Sequence, residues 1–88
     1  MDIDKHKTAQ VFASRLTYLL YRSDMSQSDL ARKANIQPST ISYYICNRRK
    51  TPHAETLRRI AVALGVSSDY LIGLTDDLPE QYREEAKP

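Results

Sequence analysis

The tightest constraint on this chain is a pair of closely spaced helix starts. Ser26 precedes Gln27-Ser28-Asp29-Leu30-Ala31, so its hydroxyl can accept the N–H of the third helical residue while Asp29 reaches back to the Ser26 N–H. Met25, just ahead of the cap, is placed to staple onto Leu30. This helix ends by Ala34, because Asn35 enters the left-handed region cheaply and Ile36-Gln37 leads straight to Pro38. Proline lacks the N–H that a first helical residue leaves unpaired anyway, so Pro38 suits the start of a further helix over about 38–46. Only Asn35, Ile36 and Gln37 separate the two segments, which makes them one bihelical packing unit.

The flanking segments carry the same 3.6-residue periodicity. Val11, Phe12, Leu16, Leu19 and Leu20 predict a helix over 8–22 with Thr8 as its N-cap. In the 38–46 helix, Ile41, Tyr44 and Ile45 point inward, Ser39, Ser42 and Tyr43 outward, and Asn47 offers another left-handed exit. Leu57, Ile60, Ala61 and Leu64 fall at i, i+3, i+4 and i+7 of a fourth helix that Gly65 stops. Val66, the Ser67 cap and Leu71 repeat the staple device for a short helix over about 67–73. Beyond Thr75 the chain is polar; Asp77-Leu78-Pro79-Glu80 could cap a turn or two, and the segment reads as mobile or weakly helical. Alternating strand patterns and internal repeats are absent from the sequence. The expectation is an all-α, compact five-helix domain over 8–74, with an N-terminal arm over 1–7 and an acidic tail over 75–88.

Charge divides the chain unevenly. Between Lys5 and Ile60 eleven Lys or Arg stand against three acids, whereas from Ala61 onward six acids stand against two bases, although the net charge is only +2. A basic body with an acidic tail suits a polyanion partner, and equally a solvated basic face. Other classes fit less well. His6 and His53 have no metal-ligand spacing, no nucleophile–base pairing or glycine-rich phosphate loop is visible, and neither enzyme activity nor a cofactor is expected. Cys46 is alone, so no intrachain disulfide or cysteine-based zinc cluster is expected; as a lone cysteine it reads as a small apolar filler rather than a redox sensor. The longest apolar run is Ile60–Leu64, far short of the roughly 18 residues that span a bilayer. The acidic start Met1-Asp2-Ile3-Asp4 lacks the apolar core of a secretory signal, so a cytoplasmic location is expected.

Taken together, Ser26-Gln27-Ser28-Asp29-Leu30-Ala31-Arg32-Lys33-Ala34, Ser39-Thr40-Ile41-Ser42, Pro52, Leu57, Ile60-Ala61, Ala63-Leu64-Gly65-Val66 and Leu71 resemble the Cro/cI-type helix-turn-helix family, also called lambda-repressor-like or XRE-like. The likeness covers about residues 8–74 and includes the fourth helix as well as the bihelical unit. Ala31 sits where the two helices would cross, and Leu30, Ile36 and Ile41 would fill the space between them. Asn35 and Asn47 replace glycines common in the family, which positive-φ tolerance allows. His53 stands where a serine cap is usual, and Tyr44, Ile45 and Cys46 also depart from the pattern.

The resemblance implies a sequence-specific double-stranded DNA-binding transcriptional regulator, a repressor of prokaryotic or phage type, with 38–46 in the major groove. Gln37, Ser39, Ser42 and Tyr43 would then face base edges, while Gln27, Thr40, Asn47, Arg48, Arg49 and Lys50 would meet phosphates. Blander roles are open to each: Gln27 as an ordinary exposed first-turn residue, Ser39 and Thr40 as capping chemistry, Tyr43 as a solvated ring, and Arg48-Arg49-Lys50 as a solvated loop. Tyr70, Leu71, Ile72 and Leu74 would form a homodimer surface, matching a palindromic operator. The alternative is an antitoxin or similar protein-interaction module of the same fold, whose tail after Thr75 covers a protein partner.

Overall fold

The computed structural model describes residues 6–83; residues 1–5 of the expected arm over 1–7 and the tail beyond Arg83 lie outside the described residues, and Lys7 of that arm is already helical. The described residues form an all-α domain of five helices: α1 (Lys7–Ser23), α2 (Gln27–Ala34), α3 (Pro38–Cys46), α4 (Ala54–Leu64) and α5 (Ser68–Ile72). A single turn of 3₁₀ helix follows at Glu80–Tyr82. Phe12, Leu16 and Leu19 of α1, Leu30 of α2, Ile41 of α3, Ile60 and Leu64 of α4 and Leu71 of α5 enclose one apolar core. Helix α2 is packed between α3 and α4, while α1 meets α3 and α5.

Local chemistry sets most of the helix ends. Ser26 accepts the Asp29 N–H at 3.0 Å and donates its own N–H to Asp29 Oδ2 at 3.1 Å, completing the capping box. Ser67 caps α5 through the Tyr70 N–H at 3.0 Å. Helix α1 starts differently from expectation: His6 is its N-cap, without a side-chain cap bond, and Thr8 lies inside the first turn. Helix α1 thus starts one residue, and its cap lies two residues, ahead of the Thr8 signal.

Four helices end on a left-handed residue. Asp24, Asn35, Gly65 and Gly73 have φ of 58°, 60°, 73° and 89°. The N–H groups of Met25, Ile36, Val66 and Leu74 then return to carbonyls of the last turn, closing a Schellman motif each time. Asn47 departs from the left-handed exit expected of it, with φ −101° and ψ 98°. Each of the four left-handed residues is followed by an apolar side chain that can fold back on its helix, whereas Asn47 is followed by Arg48. Its side chain acts instead, Oδ1 accepting the Arg49 N–H at 3.1 Å.

The segment after Thr75 also departs from expectation. Tyr82 is 4% exposed and donates its hydroxyl to the Leu64 carbonyl at the end of α4, and Leu78 packs against the same core. Arg15 gathers the preceding turn: its guanidinium donates to the Tyr70 and Thr75 carbonyls at 2.6 and 2.7 Å, pairs with Asp76 and lies 4.2 Å from the centre of the Tyr70 ring. The polar composition of the tail concealed one large side chain with a hydrogen-bond acceptor waiting for it.

Candidate nucleic-acid interface

Helix α3 is held from behind and open in front. Ile41 is fully buried, and Tyr44 and Ile45 rest half-buried against the core, so the rotation of the helix about its axis is determined. Gln37, Ser39, Ser42 and Tyr43 are left exposed, the last three sharing a helix face by their i, i+3, i+4 spacing. Gln37 is the N-cap in extended conformation and makes no side-chain cap bond, so its amide is available for another partner. Thr40 is half-buried and donates its N–H to the Gln37 carbonyl at 2.9 Å.

Tyr43 is not a loosely solvated ring. It meets Tyr44 edge-on at 5.0 Å between centroids, and Tyr44 meets the buried Phe12 edge-on at 6.0 Å. This ladder runs from the core to the outer face of α3 and fixes where the phenol is presented. Cys46, expected as an apolar filler, is exposed at the end of the same face, i+3 from Tyr43. The inward stripe is satisfied by Ile41, Tyr44 and Ile45, so the helix rotation carries Cys46 outward.

Polar groups surround that face. Gln27, at the first position of α2, is exposed and accepts the Ser42 hydroxyl at 2.7 Å through Oε1, tying α2 to α3. On the other side, Arg48, Arg49 and Lys50 leave α3 in an exposed loop before Pro52 turns inward. Arg48 is not aimed freely outward: its Nη1 donates to Ser14 Oγ at 3.0 Å and the Gln10 carbonyl at 3.3 Å, clamping the loop to α1.

Two of the acidic groups in the body, Glu55 and Asp29, are engaged locally. Glu55 bridges Arg58 and Arg59, each at 2.9 Å, and these guanidiniums hold its carboxyl down from the usual 4.5 to about 2. Asp29 is also held below the ordinary carboxylate range, chiefly by the Ser26 backbone and hydroxyl and then by Arg32. Arg59 donates to the Asn35 carbonyl at 3.0 Å, bracing the α2–α3 turn from α4. Among the described residues, no carboxylate pairs with Arg48, Arg49 or Lys50. That loop therefore keeps its positive potential, which suits it to polyanion attraction.

The expected dimer surface is placed differently. Tyr70 and Leu71 are core residues, 6% and 0% exposed, so neither offers an outer face to a second chain. Five-residue α5 packs its inward side against α1 and α4, and burial raises the Tyr70 phenol above its ordinary pKa. Ile72 is half-buried, and Leu74 is 72% exposed.

Among the described residues no cluster of His, Cys, Asp or Glu has the arrangement of a metal site, and no helix is long and apolar enough to cross a membrane. The links Gln27–Ser42, Arg48–Ser14 and Tyr82–Leu64 have no local sequence signal, since each joins residues at least 15 positions apart. No curated protein and no solved structure matches the chain. A family described as Helix-turn-helix does match, over residues 18–71, from the middle of α1 to Leu71 of α5. With that match spanning the capped α2, the open face of α3 and the α4 scaffold behind them, the chain belongs to the Cro/C1-type, XRE-like helix-turn-helix family of DNA-binding regulatory domains.

Proposed function

We propose that this protein is a sequence-specific transcriptional regulator that inserts the N-terminal end of α3 into the major groove of duplex DNA. The observation that carries this reading is a combination: an exposed polar face on α3, fixed from behind, followed directly by a cationic loop without acidic partners among the described residues. Gln37, Ser39, Ser42 and Tyr43 face base edges; Gln27, Thr40, Asn47, Arg49 and Lys50 face the backbone. Arg48 belongs with the latter group, its remaining guanidinium donors available to a phosphate beside the α1 clamp. Bound to a promoter, such a domain excludes other proteins by occupancy alone, which favours repression in a prokaryotic or phage setting, in the cytoplasm where the DNA lies.

A single small domain has a limited interface, and a two-fold pair reading half-sites about 34–36 Å apart gains affinity by engaging two successive turns. The exposed Leu74 and half-buried Ile72 are the apolar groups left at that end for a homodimer. The antitoxin-like alternative has less support, because Leu78 and Tyr82, the large apolar side chains among the described residues after Thr75, are turned into the domain. The test is a titration of duplex DNA from upstream of the protein's own gene across a range of salt. Each of Arg48, Arg49 and Lys50 that meets a phosphate lowers the salt slope by about one when changed to Ala. Unchanged binding by the triple Ala variant refutes the phosphate assignment. Sedimentation with and without a palindromic site tests the pair: one protomer bound at saturation rejects it.

A further inference from the structure

The Gln27–Ser42 hydrogen bond has a consequence for which bases are read. A serine hydroxyl is ordinarily ambiguous, since it donates one proton and accepts through two lone pairs. Here the proton is committed, Ser42 Oγ donating it to Gln27 Oε1 with the two oxygens 2.7 Å apart, so Ser42 turns only lone pairs to the groove. The amide of Gln27 has its oxygen engaged by that proton, while its two N–H donors point away from the bond and Gln27 itself is exposed.

We propose that Gln27 is a positioning residue for base specificity, converting Ser42 from an indifferent hydroxyl into an acceptor that selects a base carrying an exocyclic amine. In the major groove those are adenine, through N6, and cytosine, through N4; guanine O6 and thymine O4 are acceptors and face Ser42 lone pair to lone pair. The same amide donates its N–H to the neighbouring phosphate, so backbone contact and base choice are joined in one side chain. The proposal rests on the DNA-reading function given above and sharpens it at one base position.

The experiment is selection of binding sites from a random duplex library with the full chain and three variants, each checked by circular dichroism for an unchanged fold. In the unaltered protein one position favours A or C over G or T by roughly fivefold to tenfold, the low end of a base contact. Ser42→Ala removes that preference. Gln27→Ala leaves Ser42 in place but frees its hydroxyl to donate or accept, so the same position falls to within about twofold while the others keep their preferences. Gln27→Glu retains the acceptor for the Ser42 proton and removes the amide donor; it preserves the A or C preference and weakens all sites alike.

Three results overturn the proposal in distinguishable ways. If Ser42→Ala loses the preference and Gln27→Ala keeps it, Ser42 reads a base without help from Gln27. A preference for G or T at that position means that the hydroxyl donates to the base. If Ser42→Ala leaves every position unchanged, or no variant and no parent protein enriches any site, the base-reading assignment of α3 fails together with the proposal.

Discussion

Helices α3 and α4 are of similar length and answer to different demands. Among the eleven residues of α4, Ile60, Ala61, Ala63 and Leu64 are buried, whereas among the nine of α3 only Ile41 is. One buried anchor with two half-buried neighbours is enough to hold α3 in place because α1 and α2 both press on it. The outer residues of α3 are thereby released from packing and available for recognition. In α4 the core dictates the side chains, and its exposed acid is consumed in pairing arginines, of which Arg59 supports the α2–α3 turn.

The largest expected effect breaks this contrast at its root. Ile60→Ala in α4 should cost about 2–5 kcal/mol in urea unfolding, as buried Ile deletions do, and Ile41→Ala should cost as much. Ser39→Ala should stay within about 0.5 kcal/mol, as surface changes usually do. An Ile41→Ala variant as stable as the Ser39→Ala variant would show that α3 is not anchored through its core side.

The same outer residues should matter to DNA instead. Ser39→Ala and Tyr43→Ala should each cost about 1–3 kcal/mol of specific binding if they hold good base contacts, with preference relaxed at a single position. Tyr44→Leu sharpens this test, because it removes the ring that holds Tyr43 while leaving Tyr43 in place. Equal base preferences in the Tyr44→Leu variant and the parent would mean that the aromatic ladder does not direct Tyr43.

A smaller effect concerns how α4 is finished. Tyr82→Phe keeps the ring and removes the hydroxyl that caps the Leu64 carbonyl, so a loss of about 1 kcal/mol is expected in thermal unfolding, with DNA binding unchanged. A stability identical to the parent would indicate that water replaces the phenol without penalty.

The least effect is in acid. Glu55 and Asp29 have folded pKa values below their unfolded ones, so their pairing stabilises the native state above about pH 4.5 and is lost as the pH falls towards about 2. That window is the one for Glu55; for Asp29 the direction is the same, and because both groups are exposed and screened the decline in Tm attributable to them should be shallow. Glu55→Gln should flatten part of it; an unchanged profile would leave the Glu55–arginine bridge without a role in stability.

The sequence by itself determined the pieces whose physics is local. The Ser26 capping box, the Pro38 start, the Gly65 stop and the apolar rows of α1 and α4 depend on groups a few residues apart, so α2, α3 and α4 lie close to where their side chains predict. Even the conformation of Asn47 had a local signal that its residue type did not reveal: the polar Arg48 after it, where every left-handed cap is followed by an apolar residue. The outward placement of Ser39, Ser42 and Tyr43 followed from periodicity, whereas their candidacy as base readers, with Gln37, came from the family resemblance. What lay beyond that reach was decided by the assembled helices. Whether Tyr70 and Leu71 face a partner or the core depends on what covers them, and α1 and α4 pack against α5. Arg48 turning to Ser14, Tyr82 reaching Leu64 and Ser42 giving its proton to Gln27 each require two distant segments to be brought within hydrogen-bond range. Hydrogen bonds are short and directional, so no residue type or spacing announces them before the helices have docked.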